Sequence, residues 1–265
     1  MKAVVIGGGN MGSAIVRGLV QGSIFNPEDI TVIDILEAPL KALQEYNASI
    51  QVVLNSYENV EKADVIILAV KPWLIKDTLL DIKFMLDYSR QIIVSVAAGT
   101  SLQEMSDILV KGDKGQSDPT LFRVVPNTAI SVKQSITLMA SQNASPEEEE
   151  LIMKIFNELG TAVMMDESKI PAGTALTSCG IAFFFRYVRA AVLAGIELGF
   201  HAQDAQEMIV KTMLGAATLL DETKGNPESE IDKVSTPGGI TIRGINELEV
   251  NGFSNAVIKA LKACK

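Results

Sequence analysis

The sequence predicts an α/β protein in which a doubly wound sheet is followed by an all-helical domain. Three observations support this fold. Short apolar runs alternate with helical patterns up to about Asp166, a glycine-rich turn joins the first run to the first helix, and only helical patterns follow Asp166. We therefore expect an N-terminal domain over residues 1–166 and a helical domain over residues 167–265.

The elements of the first domain can be placed in order from their apolar patterns. Predicted strands are Ala3–Ile6, Ile30–Ile33, Val65–Val70, Gln91–Val96, Leu121–Val125, Ile136–Ala140 and Ala162–Met165. Predicted helices are Met11–Gln21, Pro39–Tyr46, Leu74–Leu86, Leu102–Leu109 and one that starts after Ser145 with a capping box. A polar loop covers Lys111–Pro119.

The second domain has no strand pattern. Its predicted helices are Ala172–Leu198, Ala202–Leu220, Glu228–Lys233 and two that close the chain around Gly252. The apolar run Ala172–Phe185 is shorter than a membrane span, and Arg186 and Arg189 follow it. We therefore expect no membrane span but a helix in the core or at a subunit interface, and the apolar surface of this helix predicts an obligate dimer.

Composition excludes several classes of function. The 265 residues are 48% hydrophobic and carry a net charge of −9, which argues against a nucleic-acid or anionic-membrane partner. Cys179 and Cys264 have no metal-ligand spacing, so free thiols in a reducing compartment are expected. The first strand begins at residue 3, leaving no room for a signal peptide, so we expect a cytoplasmic protein.

The glycines at 7, 9 and 12 match the dinucleotide fingerprint of a Rossmann-type domain. Gly7 would permit the tight turn, Gly9 the approach of a pyrophosphate, and Gly12 close packing of the helix on the strand. Free N–H groups at the new helix, including those of Asn10 and Met11, would then face the phosphates. The alternative is a purely structural turn.

The acidic residue after the second strand selects the nucleotide in such domains. Asp34 lies 22 residues beyond Gly12, near the expected spacing. A carboxylate there binds the ribose 2′-hydroxyl of NAD and repels a 2′-phosphate, so Asp34 favours NADH over NADPH. The alternative is a solvated strand end.

Three further strand ends should meet at the same edge of the sheet, where ligands bind in open α/β folds. They are Val70-Lys71-Pro72, Ala97-Ala98-Gly99-Thr100 and Pro126-Asn127-Thr128. Their small residues and prolines could leave space for a nicotinamide ring. Each of them alone could equally be an ordinary strand ending.

The loop Val234–Thr241 is the most unusual segment of the helical domain. Backbone N–H groups at Gly238-Gly239 and at the following helix start could bind an anion, and Ser235, Thr236 and Thr241 add neutral hydroxyls. This combination suits a carboxylate ligand with a nearby nitrogen. The alternative is a Pro-Gly turn with Thr241 as the helix N-cap.

Catalytic residue types are scarce. The single histidine, His201, lies between two predicted helices and is expected to be a surface or cap residue. No metal-ligand cluster is expected. A nicotinamide enzyme of this kind suits a substrate that needs little acid–base help, such as a protonated C=N bond, where positioning supplies much of the rate.

Together these segments resemble the pyrroline-5-carboxylate reductase family over the whole chain. The resemblance rests on Ile6–Gly12 with Ala14, Ala69–Pro72, Val94–Gly99, Arg123–Thr128 and Val234–Thr241 with Glu247, Leu248, Gly252 and Phe253. It implies reduction of 1-pyrroline-5-carboxylate to proline with NADPH or NADH. It also implies interleaved homodimers, in some members rings of dimers, whose active sites combine one subunit's cofactor domain with its partner's helical loop.

Residue roles also follow from the resemblance. The Gly7–Gly12 turn would hold the pyrophosphate, and Ile6, Asn10 and Met11 would also bind the cofactor. The nicotinamide would be lined by Ala69, Val70, Lys71, Pro72, Ala97 and Ala98. The substrate carboxylate would be held by Thr236, Gly238, Gly239 and Thr241. The Thr241 hydroxyl would orient the imine nitrogen, with the proton coming from solution or relayed water.

The chain departs from the family pattern in two places. The family usually has Ser-Gly-Ser-Gly-Pro-Ala-Tyr where this chain has Thr177–Phe183, and NADPH-preferring members often carry Arg where Ile35 follows Asp34. The first departure keeps open a related cyclic imine carboxylate as substrate, a hydroxyacid dehydrogenase of similar architecture, or a non-catalytic dinucleotide-binding relative.

Overall fold

A computed structural model of the chain describes residues 1–112 and 117–264, so residues 113–116 of the predicted polar loop lie outside the described part. It contains eight described strands: β1 (Ala3–Ile6), β2 (Ile30–Asp34), β3 (Gln51–Leu54), β4 (Val65–Leu68), β5 (Ile92–Ser95), β6 (Thr120–Val125), β7 (Ser135–Gln142) and β8 (Gly160–Met164). All seven predicted strands are present, while β3 was not predicted.

The α-helices in the described residues are α1 (Asn10–Val20), α2 (Glu37–Tyr46), α3 (Ile75–Ile82), α4 (Leu102–Leu109), α5 (Pro146–Asn157), α6 (Ile170–Thr174), α7 (Gly180–Glu197), α8 (Ala202–Thr223), α9 (Pro227–Val234), α10 (Ile240–Val250) and α11 (Phe253–Ala263). A π-helical turn, Ala175–Cys179, joins α6 to α7. The predicted capping box at Ser145 is confirmed, since its side chain accepts from Glu148 N–H and the Glu148 carboxylate accepts from Ser145 N–H.

The eight strands form one sheet in the order β3-β2-β1-β4-β5-β6-β7-β8. The pairs from β3 to β6 are parallel, β7 runs antiparallel to β6, and β8 is parallel to β7. The predicted doubly wound sheet is therefore confirmed. The strand order reverses between β1 and β4, and their carboxyl ends form the crevice where such sheets bind ligands.

Apolar side chains cover both faces of this sheet. Along β1, Ala3 and Val5 join the core on one face, whereas Val4 and Ile6 join the core on the other. The strands β1, β4 and β5 are buried at every position. Burial on both faces explains their nearly continuous Val/Ile/Leu runs, in which Ser95 at the end of β5 is the one polar residue.

The chain divides into two compact units, Met1–Thr177 and Ser178–Lys265. The first contains the sheet, and the second contains α7 to α11. The sequence-based domain limits, 1–166 and 167–265, stay a prediction.

The second unit has very little core of its own. Among its described residues the fully buried apolar side chains are Val192 and Ala205, on α7 and α8. Each helix of this unit carries large apolar side chains that are exposed to solvent. Among them are Phe184, Phe185 and Leu214, each at least 60% exposed. A single chain therefore leaves most of the apolar surface of this unit uncovered.

One helical run of the described chain, Glu167–Glu197, has 31 residues and contains an apolar window with a mean hydropathy of 1.6, which is long and apolar enough by length and composition to cross a membrane. The apolar run Ala172–Phe185 lies within this longer helix, and the expectation of no membrane span stays a prediction. Only 11% of the apolar window is buried inside the chain. Of the two predicted settings, a subunit interface fits this exposure better than a core.

Candidate functional site

The glycine-rich turn after β1 has the geometry that its spacing predicts. Gly7 has φ +106°, and a Cβ there would lie 2.7 Å from the Ala69 carbonyl oxygen. A Cβ on Gly12 would lie 1.8 Å from the Gly7 carbonyl oxygen, so only glycine lets α1 start so close to β1. At Gly9, by contrast, no atom lies within 4 Å of an added Cβ. The turn is therefore tight at both ends and open in its middle.

The start of α1 adjoins this opening. The first intrahelical bond runs from Ser13 N–H to the Gly9 carbonyl, at 2.8 Å. The N–H groups of Asn10, Met11 and Gly12 precede it and have no acceptor within the helix. The positive end of the helix dipole adds to their attraction for an anion.

Asp34 holds the turn in place. Its Oδ2 accepts from Gly8 N–H at 2.6 Å, and its Oδ1 accepts from Leu36 N–H at 2.8 Å. The Ser13 hydroxyl fixes the following peptide by donating to the Gly8 carbonyl at 2.6 Å. Asp34 is thus more than the solvated strand end of the alternative interpretation, and sequence reasoning missed both its bond to Gly8 and the role of Ser13.

The other predicted strand ends gather at the same edge of the sheet. Ala69 follows β4 and donates its N–H to the Ile6 carbonyl at 2.8 Å, while Val96 N–H donates to the Leu68 carbonyl at 3.0 Å. The predicted nicotinamide-lining residues continue from these two points: Val70, Lys71 and Pro72 after Ala69, and Ala97 and Ala98 after Val96. Ala97 is buried, and Lys71, Pro72 and Ala98 are exposed.

A cavity of about 610 Å³ adjoins the turn. Gly8, Gly9 and Asn10 line one part of it, and the cations Arg17 and Lys133 line another. Arg17 lies on α1 with its guanidinium 5.5 Å from the ring centre of Tyr46. Two positive charges beside the start of α1 suit a phosphate-bearing ligand. Lys133 could not be found from the sequence, because 124 residues separate it from Gly9.

The loop between α9 and α10 forms a type II turn. The Gly239 N–H donates to the Thr236 carbonyl at 2.9 Å, Pro237 follows Thr236, and Gly238 has φ +72°. Gly239 is the N-cap of α10, without a side-chain capping bond. The alternative in which Thr241 caps this helix is therefore wrong, because Thr241 lies inside the first turn.

Two donors of this loop are already engaged. The Ser235 hydroxyl donates to the Ile231 carbonyl at 2.8 Å, and the Gly239 N–H is used by the turn. First-turn helix N–H groups, here those of Ile240, Thr241 and Ile242, have no intrahelical acceptor. With the exposed hydroxyls of Thr236 and Thr241, they form a group of neutral donors that suits a carboxylate.

His201 occupies the N-cap position of α8 and is exposed, without a side-chain capping bond. This agrees with its predicted place at the surface between two helices. Across the described residues, no group of three or more His, Cys, Asp and Glu side chains could hold a metal ion.

Comparison with known proteins identifies both parts of the chain. Residues 167–265 match the family "Pyrroline-5-carboxylate reductase dimerisation", and residues 2–99 match "NADP oxidoreductase coenzyme F420-dependent". A pyrroline-5-carboxylate reductase of Methanosarcina acetivorans is 36% identical, and the alignment covers 100% of this chain and 97% of that protein. Pyrroline-5-carboxylate reductase 1 of Dictyostelium discoideum is 38% identical over 97% of this chain, which spans 47% of that relative's length.

A solved structure gives the same result for the fold. A pyrroline-5-carboxylate reductase from Coxiella burnetii superposes with a TM-score of 0.90 at 28% identity, covering 99% of this chain and 95% of that one. The agreement extends over both compact units.

Substitutions in the glycine turn should separate binding from stability. Gly9→Ala adds a methyl group in open space, so we expect the unfolding free energy to change by no more than about 1 kcal/mol. The same methyl blocks the approach of a pyrophosphate, and dinucleotide affinity should fall about tenfold or more. Denaturant unfolding and calorimetric titration with NADH and NADPH measure the two effects.

Gly12→Ala is the matched variant at the other end. Its Cβ would overlap the Gly7 carbonyl, so the free energy of unfolding should fall by about 1–3 kcal/mol or more. Unchanged nucleotide affinity in Gly9→Ala would contradict the assignment of the turn as a pyrophosphate site.

Proposed function

The chain belongs to the pyrroline-5-carboxylate reductase family, and we propose that it reduces 1-pyrroline-5-carboxylate to L-proline with NADPH or NADH as the reductant. The observation that carries this proposal is the crevice between β1 and β4, where the open glycine turn lies beside the Ala69–Pro72 segment. A relative of this family matches the chain over its full length. The reaction is the last step of proline biosynthesis.

The residues present fit a nicotinamide dinucleotide. Gly9 leaves an open cradle, first-turn N–H groups of α1 face it, and Arg17 and Lys133 supply positive charge to the adjoining cavity. When bound, the cofactor supplies a hydride for the C=N carbon. Ala69, Val70, Lys71, Pro72, Ala97 and Ala98 would orient its nicotinamide from the carboxyl edge of the sheet.

The substrate carboxylate is assigned to the start of α10. Thr236, Gly238, Gly239 and Thr241 surround the first-turn N–H groups, which bind an anion without adding a charged side chain. Because the Gly239 N–H is used by its own turn, Gly239 contributes through backbone shape and lets its neighbours donate. Ser235 can still accept a hydrogen bond, although its hydroxyl hydrogen is engaged with Ile231.

Thr241 is the proposed catalytic residue. Its hydroxyl would hydrogen-bond the imine nitrogen and fix the C=N bond for hydride addition. A threonine hydroxyl is a poor acid, so the nitrogen carries a proton taken from solution or relayed by water. A protonated imine is already a good hydride acceptor, and positioning then supplies much of the rate.

The nucleotide preference depends on Asp34. A carboxylate fixed at the end of β2 repels a 2′-phosphate and accepts from a ribose hydroxyl. Since its two oxygens also hold Gly8 and Leu36, the carboxylate cannot swing away to admit the phosphate without releasing the turn. We therefore expect NADH to be the better reductant.

The second unit is assigned to an interleaved homodimer. The exposed apolar faces of its helices would be buried against the same faces of a second copy. In this arrangement the α9–α10 loop of one subunit would complete the active site of its partner. Rings of dimers would be a further level of assembly. We place the enzyme in the cytoplasm, where both cysteines would stay reduced.

Oxidation of NADH and NADPH with 1-pyrroline-5-carboxylate tests the reaction directly. We expect turnover with both nucleotides and a higher kcat/KM with NADH. In Asp34→Asn the ratio of the NADPH to the NADH value should rise about tenfold, because the fixed negative charge is lost. Asp29→Asn, which removes the same charge before β2 begins, is the control and should leave the ratio unchanged. Absence of turnover with either nucleotide would contradict the proposed function.

Thr241→Val removes the hydroxyl while keeping the shape of the side chain. We expect kcat to fall about 10- to 100-fold with little change in nucleotide affinity, because the variant loses only the bond that orients the imine. Thr241→Ser keeps a hydroxyl and should retain most of the activity. An unchanged rate in Thr241→Val would remove this residue from the mechanism.

Light scattering during gel filtration at micromolar concentration should give at least twice the chain mass of 28.4 kDa. Phe185→Glu places a charge on the exposed face of α7 and should shift the protein toward monomer and reduce activity. Phe84→Glu is the matched control, since Phe84 is at least as exposed on the first unit. A monomeric wild-type protein would contradict both the dimer and the shared active site.

A further inference from the structure

Arg123 is a charged residue on an otherwise apolar face of β6. Its neighbours on that face, Leu121 and Val125, belong to the core, and the Arg123 side chain is only 13% exposed. Its Nε atom is buried and has no hydrogen-bond partner among the described residues. Because a buried cation is unfavourable unless it is paired, the position of Arg123 depends on the group that it meets.

That group is the carboxylate of Glu167, in the short turn between β8 and α6. Arg123 Nη1 donates to Glu167 Oε1 at 2.9 Å, and the same Oε1 accepts from the Leu102 N–H at 2.8 Å. Leu102 is the first residue of α4, so one carboxylate oxygen joins β6 to the start of that helix. Buried ion pairs rarely stabilise a fold more than apolar residues of similar volume, so this pair is better explained by what it holds.

The start of α4 ends a segment that we have assigned to the nicotinamide. The segment begins at β5, where the Val96 N–H donates to the Leu68 carbonyl at 3.0 Å. Between these two anchors Ala98 and Gly99 are exposed. Apart from its chain neighbours, no atom lies within 4 Å of a Cβ added to Gly99. The middle of the segment therefore takes its position from its two ends.

The helix cap itself does not tie α4 to the sheet. Ser101 and Glu104 form a capping box with each other, and both belong to the same helix start. The bond from Leu102 to Glu167, by contrast, crosses 65 residues of sequence. The buried side chains of Leu102 and Met105 keep the helix packed on the core. Loss of the bond should therefore loosen the start of α4 without unfolding the helix.

We propose that Glu167 and Arg123 are positioning residues for hydride transfer: Glu167 fixes residues 97–99 against the nicotinamide, and Arg123 holds Glu167 in place. The inference rests on the proposed function, because it takes Ala97 and Ala98 as residues that line the nicotinamide. Both positioning residues act through the Leu102 N–H and not on the reacting atoms. A displacement of about 1 Å in a positioning group can lower a rate about 100-fold.

Titration of the full-length protein with NADH and with ADP-ribose tests the proposal without any imine. ADP-ribose carries the diphosphate that the glycine turn would bind, but it has no nicotinamide. In Glu167→Ala we expect the Kd for NADH to rise about three- to tenfold and the Kd for ADP-ribose to stay within about twofold. Glu167→Gln keeps an oxygen for the Leu102 N–H and should give a smaller rise.

Turnover adds a second measurement. Glu167→Ala should lower kcat about tenfold or more, with little change in the KM for the imine, because the substrate carboxylate is assigned to α10. Arg123→Lys keeps a positive charge and should retain more activity than Arg123→Met. Asp166→Asn is the matched control, since it removes the adjacent carboxylate, whose ion pair with Lys169 is exposed. It should change neither the two affinities nor kcat.

Thermal unfolding followed by circular dichroism shows whether each variant folds, and Glu167→Gln decides the question if Glu167→Ala does not. An equal loss of affinity for NADH and ADP-ribose in the folded variant would overturn the proposal, and so would unchanged NADH affinity and kcat. If the wild-type protein does not reduce the imine, the proposed function fails, while the two titrations still test the positioning role.

Discussion

The Gly7 carbonyl oxygen lies where a side chain at residue 12 would stand, and this close approach sets the position of the whole crevice. It allows α1 to begin directly above β1, so that the first helix N–H groups open onto the carboxyl edge of the sheet. Ala69, the residue after β4, packs against the same two glycines. The strand order therefore reverses beside a helix start, and the turn, the strand ends and the charged cavity all depend on one contact that no larger residue permits.

Much of this arrangement could be predicted from the sequence, because the information is local. The glycine spacing, the apolar runs of β4 and β5 and the capping box at Ser145 each depend on residues close together in the chain. The strand β3 was missed because its Gln51 and Leu54 are exposed and its pattern is weak. Lys133 and the bond from Asp34 to Gly8 were missed because they join residues distant in sequence, and nothing in a local pattern marks such a pairing.

The second unit shows the same limit in a different form. The helices α7 to α11 were predicted from periodicity, but periodicity does not show what their apolar faces contact. The apolar run Ala172–Phe185 underestimated the length of its helix, which continues through Glu167–Glu197. The α9–α10 loop was recognised from its residues, but the use of the Gly239 N–H within its own turn became visible only in three dimensions.

The two bonds of Asp34 have a consequence for how a nucleotide meets the protein. Because the carboxylate and Ser13 already fix the two peptides that flank Gly8, the loop loses its conformational entropy during folding and has little left to lose on binding. Such a preorganised loop binds with a smaller entropic penalty than one that must first become ordered. The nucleotide of each catalytic cycle would then enter a binding loop that keeps its conformation between turnovers.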